Sequence, residues 1–381
     1  MQEKIITPAP SIPALFLYYN NSLDDAPGGV QLCSKEYFQT LTAAGFSLKT
    51  LKVENDRRMS NRVKRKLNSE PYNYNFNPDK TIADIKNSLT ESVKYIFLNQ
   101  YVLRPLAKAI KENLGYGIKI VLLSHGLASV DYLHEIRAAG NLSKKDVSNS
   151  EVNYLGRQLM EETSHSPYID HVFCLAPFEV EIEKWLGAKE AIHIPRTIKE
   201  SSLNWQPVKG RLGFVGRLDH PPNKEGLLMI LDELKKIKGN TLELRIVGAP
   251  KEEGEKLSET YEFVNYLGEL ADEELREDAS TWSVFLHPIF CYAMGCSTKL
   301  ALALGWEIPI VTTTMGTRGY IWNEGSIPIA DDPEQFVNLA IEYSDPAKST
   351  SIKEEIHKIR NSLPTMQDIA TSIRNTLQEN A

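Results

Sequence analysis

Residues 282–319 carry the pattern that most limits the folds open to this chain. Residues 282–286 form a short apolar run that predicts a buried strand, and residues 308–312 predict a second one. A loop and an apolar helical run over residues 299–304 lie between them. Strand, loop, helix and strand in this order predict one parallel α/β unit, whose ligand would lie beyond the carboxyl ends of the strands.

The start of the helix in this unit predicts a phosphate site. Ser297 and Thr298 follow the loop residue Gly295 and stand where a helix N-cap is expected. Free backbone N–H groups at a helix start attract anions, and the ammonium group of Lys299 adds a positive charge. An ordinary α/β unit with an ordinary Ser-Thr cap is the alternative interpretation.

Length and composition indicate a globular protein of two domains. The chain has 381 residues, 42% of them hydrophobic, and its net charge of -7 argues against a nonspecific nucleic-acid partner. The four cysteines lack CxxC spacing and are expected to be reduced thiols. The amino terminus shows no signal peptide pattern, and no run approaches the ~20 apolar residues of a membrane span. We therefore expect a cytoplasmic protein.

The first half alternates between predicted strands and helices, which favours a doubly wound parallel sheet. Strands are predicted at residues 13–19, 46–53, 94–99, 119–124, 170–176 and 191–194. Helices are predicted at residues 30–44, 101–113, 150–162 and 177–186.

Two features of the first half are placed where such sheets bind ligands. Gly28 and Gly29 precede a predicted helix, where glycines let a ligand approach the backbone closely. His125 follows the strand predicted at residues 119–124. A plain tight turn and a hydrogen-bonded structural histidine are the respective alternatives.

A basic stretch at residues 57–66 precedes three aromatic residues, Tyr72, Tyr74 and Phe76. We expect a loop here, either solvated or in contact with an acidic partner such as anionic lipid or an acidic glycan. In the second case the aromatic rings would stack on sugar.

The second half repeats the β-α-β pattern after a polar segment, residues 195–210, that is typical of a linker. Strands are predicted at residues 211–215, 242–247, 263–267, 282–286 and 308–312. Helices are predicted at residues 225–237, 299–304, 335–343, 351–362 and 366–378.

The second half resembles the retaining GT-B glycosyltransferases of family 4. Gly216-Arg217-Leu218, with Lys224-Glu225-Gly226 after it, is similar to the "GRL…KG" segment of that family. Further matches are Gly248 and Gly268 at strand ends, the run from Gly295 through Ser297 and Thr298 to Lys299, then Ala303 and residues 309–311. Gly28, Gly29 and His125 match the glycine loop and the histidine of the first domain.

The resemblance implies an α/β fold of GT-B type, two Rossmann-like doubly wound domains that face a central cleft. Residues 1–194 would bind the acceptor and residues 211–360 the nucleotide sugar, joined by the linker at 195–210. Residues 361–381 would form a helix that returns toward the first domain. The implied chemistry is metal-independent transfer with retention, as in glycan or cell-surface polysaccharide synthesis.

The resemblance also assigns roles to residues. Arg217 and Lys224 would grip the diphosphate of the donor, and His125 would lie beside the donor sugar. The donor would be a nucleotide-diphosphate sugar, with UDP- or GDP-sugars expected, and no other cofactor is implied. A glycan, glycolipid or protein would be the acceptor, and residues 57–77 could add a peripheral contact with the inner face of a membrane.

The chain departs from the family at the residues that hold the donor ribose. The family carries two glutamates eight positions apart, and alignment on Pro309 places Met294 and Leu302 there, with Glu307 as the nearest carboxylate. This departure leaves open a noncatalytic protein that binds nucleotide sugars, and the basic stretch leaves open a nucleic-acid base glycosyltransferase. Asp331 and Asp332 are expected to cap a helix and not to bind a metal.

Overall fold

The computed structural model describes residues 11–25, 28–56, 58–68, 76–90, 92–138, 147–237, 241–291 and 294–379. These residues divide into two compact units. The first takes in the described residues of Met1–Val130, Val147–Pro195 and Pro364–Ala381. The second takes in those of Asp131–Asp146 and Arg196–Leu363.

The first unit contains a parallel six-stranded sheet in the order β2-β1-β3-β4-β5-β6. Its strands are β1 (Ile12–Tyr19), β2 (Phe46–Val53), β3 (Tyr95–Asn99), β4 (Lys119–Leu123), β5 (His171–Cys174) and β6 (Ala191–His193). The central strands are apolar and buried on both faces, as a parallel sheet covered by helices requires.

Helices connect the strands of the first unit. They are α1 (Gly29–Ala43), α2 (Met59–Asn68), α3 (Pro78–Ser88), α4 (Leu106–Leu114), α5 (Ala128–Ala138), α6 (Asn149–His165) and α7 (Pro177–Trp185), and α5 continues into the second unit. Helix α6 begins with a capping box, in which the Ser148 hydroxyl accepts from the Glu151 N–H.

The second unit contains a parallel five-stranded sheet in the order β11-β10-β7-β8-β9. Its strands are β7 (Arg211–Val215), β8 (Glu243–Val247), β9 (Val264–Gly268), β10 (Val284–His287) and β11 (Ile310–Thr312). Two apolar clusters form its core, one around Phe214 and Phe336 and the other around Trp282 and Trp306.

The helices of the second unit follow its strands. They are α8 (Pro221–Lys236), α9 (Lys251–Thr260), α10 (Asp272–Ala279), α11 (Thr298–Trp306), α12 (Pro333–Glu342) and α13 (Pro346–Ser362). Asp332 caps α12 by accepting a hydrogen bond from the Gln335 N–H, which confirms the expected cap. The last helix, α14 (Met366–Glu379), belongs to the first unit.

Two side chains fix α14 on the first unit. The Arg374 guanidinium donates to the Ala44 carbonyl oxygen over 2.8 Å, and the Tyr95 hydroxyl donates to the Leu377 carbonyl oxygen over 2.9 Å. Burial raises the pKa of Tyr95. The acceptor role predicted for the first domain and the donor role predicted for the second stay predictions.

The structure corrects three expectations about the first unit. Residues 59–68, expected to be a loop, form helix α2, and Phe76, expected to stack on sugar, is buried in the apolar core. The helix predicted at residues 101–113 is split into one 3-10 turn and α4 by Pro105, which lies at the N-cap of α4. Tyr72 and Tyr74 lie outside the described residues.

Candidate active site

Two glycines bring the loops at the carboxyl ends of β7 and β8 into close contact. A Cβ atom added to Gly216 would lie 2.5 Å from Lys299 Cε, and one added to Gly248 would lie 1.9 Å from the Gly216 carbonyl oxygen. Gly248 has no room for a side chain because backbone lies in the way, whereas a Cβ atom on Gly216 would meet the flexible end of Lys299. Glycine at position 248 lets the two loops touch, and glycine at position 216 lets the backbone run beside the Lys299 side chain.

Lys299 lies on the first turn of α11 and reaches back to this glycine loop. Its ammonium group donates to Asn223 Oδ1 over 2.7 Å, and Asn223 Nδ2 donates to the Arg217 carbonyl oxygen over 2.8 Å. Burial and the neighbouring Arg318 guanidinium lower the pKa of Lys299 to about 8. Among the described residues no carboxylate forms an ion pair with it. A negatively charged ligand would therefore relieve an unbalanced positive charge.

The start of α11 is not capped by a side chain. Ser297 occupies the N-cap position, but its hydroxyl accepts no hydrogen bond from the helix. Instead Ser297 Oγ lies 2.8 Å from His287 Nε2, and the Tyr320 hydroxyl donates to the Ser297 carbonyl oxygen. The first N–H groups of α11, including that of Thr298, thus remain without the cap that Ser297 was expected to provide. Gly295, with φ +65, makes the left-handed turn before them.

Arg217 and Lys224 each pair with a carboxylate. Arg217 Nη2 lies 2.6 Å from Asp219 Oδ2, and Lys224 Nζ lies 2.8 Å from Glu253 Oε2. The Arg217 side chain is largely exposed and that of Lys224 partly so. These are the surface ion pairs that stood as the alternative to phosphate binding. Their assignment to the diphosphate stays a prediction, and it requires both pairs to open.

In the first unit, His125 follows the end of β4 and is held by Asn99. Asn99 Nδ2 donates to Ser34 Oγ over 2.8 Å, which turns Asn99 Oδ1 toward His125. His125 Nε2 lies 3.0 Å from that oxygen. An amide oxygen can only accept, so Nε2–H donates this hydrogen bond. Asn99 and Ser34 therefore fix the orientation of the His125 ring.

Gly28 and Gly29 lie at the start of α1 in the first unit. Gly28 stands at the N-cap position with no side-chain cap, and Gly29 is the first helical residue. A Cβ atom on Gly28 would meet only the end of the flexible Gln31 side chain. A ligand contact at these two glycines stays a prediction.

Met294 and Leu302, which stand at the positions of the two family glutamates, are apolar, and the nearest carboxylate is engaged elsewhere. Leu302 packs against the apolar cluster around Trp282. Glu307, the nearest carboxylate in sequence, lies at the opposite end of α11 in a left-handed conformation (φ 56) and is paired with Arg360. Ser202 donates to the same carboxylate over 2.9 Å. Glu307 therefore does not replace the missing ribose ligand.

Three residues beside Lys299 and Ser297 were missed by the sequence analysis, namely Asn223, His287 and Arg318. Asn223 lies two residues after Pro221, inside a loop-to-helix transition, and its bridge to Lys299 joins residues 76 positions apart. His287 is the last residue of β10, the kind of strand end at which His125 was noticed. That position was the only sequence signal for it.

The described residues contain no metal-binding cluster and no helix that could cross a membrane. In the part of the chain that the structure describes, no group of three or more His, Cys, Asp or Glu side chains could hold a metal ion. No described helix combines the length and apolar character needed to cross a membrane.

The two parallel sheets, their covering helices and the glycine loops at the strand ends define a GT-B fold. Residues 209–345 match the family model described as Glycosyl transferases group 1, so this part of the chain is similar to that family. A sequence comparison with curated proteins finds no match.

Similar solved structures extend over almost the whole chain. Sucrose-phosphate synthase from Thermosynechococcus elongatus is 16% identical, with a TM-score of 0.68 over 97% of this chain and 98% of that one. HepE from Anabaena, in complex with UDP and glucose, is 13% identical, with a TM-score of 0.65 over 97% and 100%. The pneumococcal O-GlcNAc transferase GtfA, in complex with UDP and GlcNAc, is 14% identical, with a TM-score of 0.52 over 78% and 59%. Identities this low establish the shared fold alone.

Proposed function

We propose that this protein is a glycosyltransferase that moves a sugar from a nucleotide-diphosphate sugar to a glycan, glycolipid or protein acceptor. The single observation that carries this proposal is Lys299, a partly buried cation without an ion-pair partner among the described residues, beside an uncapped helix start. Both features favour a ligand with concentrated negative charge, and a diphosphate has it.

The donor is proposed to be a UDP-sugar. The structures of HepE and GtfA contain UDP with a sugar, and their overall folds are similar to that of this chain. No feature of the described residues favours GDP over UDP, so UDP rests on this similarity. Synthesis of a glycan or cell-surface polysaccharide is the proposed setting, as the family resemblance implied.

The proposed reaction places charge on the diphosphate. The bond between the anomeric carbon and the diphosphate oxygen breaks, and the oxygen leaves with the electron pair. An acceptor hydroxyl forms the new bond to that carbon, and its proton passes to the leaving diphosphate oxygen. Fixed cations and backbone N–H groups stabilise the developing charge on the leaving group. Lys299 and the start of α11 would serve here, joined by Arg217 and Lys224 once their carboxylate partners release them.

Retention of the anomeric configuration, independence of metal ions and the contact of His125 with the donor sugar are proposed from the resemblance. Asn99 holds the His125 ring at this strand end through Nε2.

The test of this function is turnover of UDP-sugars by single variants. Arg217→Ala and Lys224→Ala are each expected to reduce turnover at least about 100-fold, the scale of one lost transition-state contact. Asp219→Asn and Glu253→Gln are the matched controls, because they break the same ion pairs and keep the cations. Rates near wild type in both alanine variants would refute the phosphate role of these residues.

A noncatalytic protein that binds nucleotide sugars is the second candidate. The apolar residues Met294 and Leu302 at the positions of the family glutamates favour it. Tight binding of UDP-sugars with neither transfer nor slow hydrolysis would support this candidate over the enzyme.

A membrane surface is proposed as a further partner, through helix α2. Its three apolar side chains, Met59, Val63 and Leu67, are all exposed and recur at every fourth residue, so they share one face. The sequence of the helix adds Arg62, Lys64, Arg65 and Lys66. A basic helix with an exposed apolar face is typical of binding to anionic lipid. An acidic glycan would use the cations and leave the apolar face without a role.

A further inference from the structure

His287 lies where it controls the hydroxyl of Ser297. The His287 ring is buried between two hydroxyl groups, with Nε2 2.8 Å from Ser297 Oγ and Nδ1 2.9 Å from Thr312 Oγ1. The sequence analysis assigned no role to it. Complete burial, together with the cations Lys299 and Arg318, lowers the pKa of His287 well below its usual value. The ring is therefore neutral and carries one proton.

The hydrogen bonds around the ring fix where that proton lies. Thr312 Oγ1 donates to the His287 carbonyl oxygen over 3.3 Å, so its own proton is committed there. Thr312 Oγ1 then accepts from Nδ1–H. Nε2 is left as an acceptor, and the Ser297 hydroxyl donates a hydrogen bond to it. The hydroxyl of Ser297 is thus oriented toward the ring and away from the helix.

This orientation is unusual for a serine at an N-cap. Serine is among the preferred N-cap residues, because its oxygen accepts from the N–H groups of the first turn. In the same chain the side chains of Asn77, Ser148, Asp332 and Asp345 all accept such bonds. Ser297 does not, although it occupies the N-cap position of the nine-residue helix α11. The first turn of α11 keeps its N–H groups for another acceptor.

We propose that His287 is a positioning residue for the donor: it holds the Ser297 hydroxyl away from the start of α11, so that the diphosphate can accept from those N–H groups. This inference rests on the proposed function, in which the diphosphate lies at this helix start beside Lys299. His287 itself touches neither the donor nor the acceptor in this arrangement. Without the ring, Ser297 would rotate, cap its own helix and compete with the ligand.

Two amide variants separate the two sides of the ring. The shorter side chain in His287→Asn can still meet Thr312 Oγ1 but cannot reach Ser297. His287→Gln reaches the position of Nε2 and is the matched control. Calorimetric titration with UDP is expected to show an affinity about five- to ten-fold weaker for His287→Asn, the scale of one N-cap hydrogen bond. His287→Gln should stay within about two-fold of the wild-type affinity.

The double variant His287→Asn with Ser297→Ala supplies the sharper readout. Without a hydroxyl at residue 297 nothing can cap the helix, so the affinity for UDP should return to that of Ser297→Ala alone. A merely structural role for His287 would weaken binding equally in both backgrounds. The inference is overturned if His287→Asn weakens UDP binding equally in the wild-type and Ser297→Ala backgrounds, or does not weaken it at all. The proposed function would still stand in that case, provided that the wild type binds UDP.

A third variant perturbs the same ring if His287→Asn does not fold. A Cβ atom on Gly316 would lie 2.1 Å from Thr312 Oγ1 and 2.9 Å from His287 Nδ1, so Gly316→Ala displaces this pair from outside. It should weaken UDP binding, and Ser297→Ala should restore it. Failure of this rescue overturns the inference. Absence of UDP binding by the wild type overturns both the inference and the proposed function.

Discussion

Lys299 is the residue at which we expect stability and donor binding to oppose each other. The drop of its pKa from 10.5 to about 8 means that the protonated side chain destabilises the fold by at most about 3 kcal/mol at neutral pH. Lys299→Met removes the charge and keeps the length. We expect it to raise the melting temperature and to abolish measurable UDP binding. Lys184→Met, at an exposed residue of α7, is the control and should change neither.

The pH dependence of this effect has a definite sign. The unfolded chain keeps the lysine proton up to about pH 10.5, whereas the folded protein releases it near pH 8. The contribution of Lys299 to the free energy of unfolding therefore rises from about pH 8 to pH 10.5. Thermal unfolding of Lys299→Met across that pH range should show no such rise in the free energy of unfolding. A variant that is less stable than the wild type at pH 7 contradicts this interpretation of Lys299.

At the scale of elements, a helical glycine shows how α8 is seated. A Cβ atom on Gly226 would lie 1.7 Å from the Pro288 carbonyl oxygen, so α8 lies directly against the backbone that follows β10. Gly156 on α6 has no atom within 4 Å of the same position. Gly156→Ala should stabilise the protein by up to about 1 kcal/mol through helix propensity.

Gly226→Ala makes the same chemical change and should instead destabilise the protein by several kcal/mol, because backbone must move to admit the methyl group. Chemical denaturation of both variants measures the difference. Similar stabilisation by both substitutions would show that α8 is not in this contact.

Helix α2 supports a second prediction at this scale. Met59→Ser with Leu67→Ser should reduce sedimentation with vesicles of anionic phosphatidylglycerol about ten-fold or more, because two side chains lose their burial in lipid. Trp185→Ser, at another exposed apolar residue, is the control. Unchanged sedimentation of the double variant would contradict burial of this apolar face in lipid.

The bounds of two strands were predicted correctly from the sequence. Strands β2 and β7 match the predicted residues 46–53 and 211–215. Short apolar runs of this length between turn residues are typical of strands and are too short for most helices. Helices α9 and α10 were missed, because their sequences are dominated by charged residues and contain few apolar residues at helical spacing. Helix α2 was missed because its basic residues favoured a loop, although Met59, Val63 and Leu67 lie at helical spacing. These helices owe their placement to contacts that no local pattern contains.

On the scale of the whole molecule, the fold class follows from the order of strands and helices, and the site does not. The predicted strand ends gave the correct positions of Gly216, Gly248 and His125 in the fold. The orientation of Ser297 by His287 and the bridge from Asn223 to Lys299 depend on loops from different strands meeting at one edge of the sheet. The strand ends can be predicted from the sequence, but the hydrogen-bond partners between distant loops can be identified only from the three-dimensional structure.

The central claim is that the donor is held through its diphosphate, and calorimetric titration of UDP against uridine tests it most directly. Leu302 cannot supply the charge-assisted hydrogen bond of about 1.5–3 kcal/mol that a carboxylate would give to the ribose. UDP should therefore bind measurably, and uridine should show no detectable binding at the same concentrations. If uridine alone retained most of the binding free energy of UDP, a contact to the ribose or base would dominate and the diphosphate-centred site would be wrong.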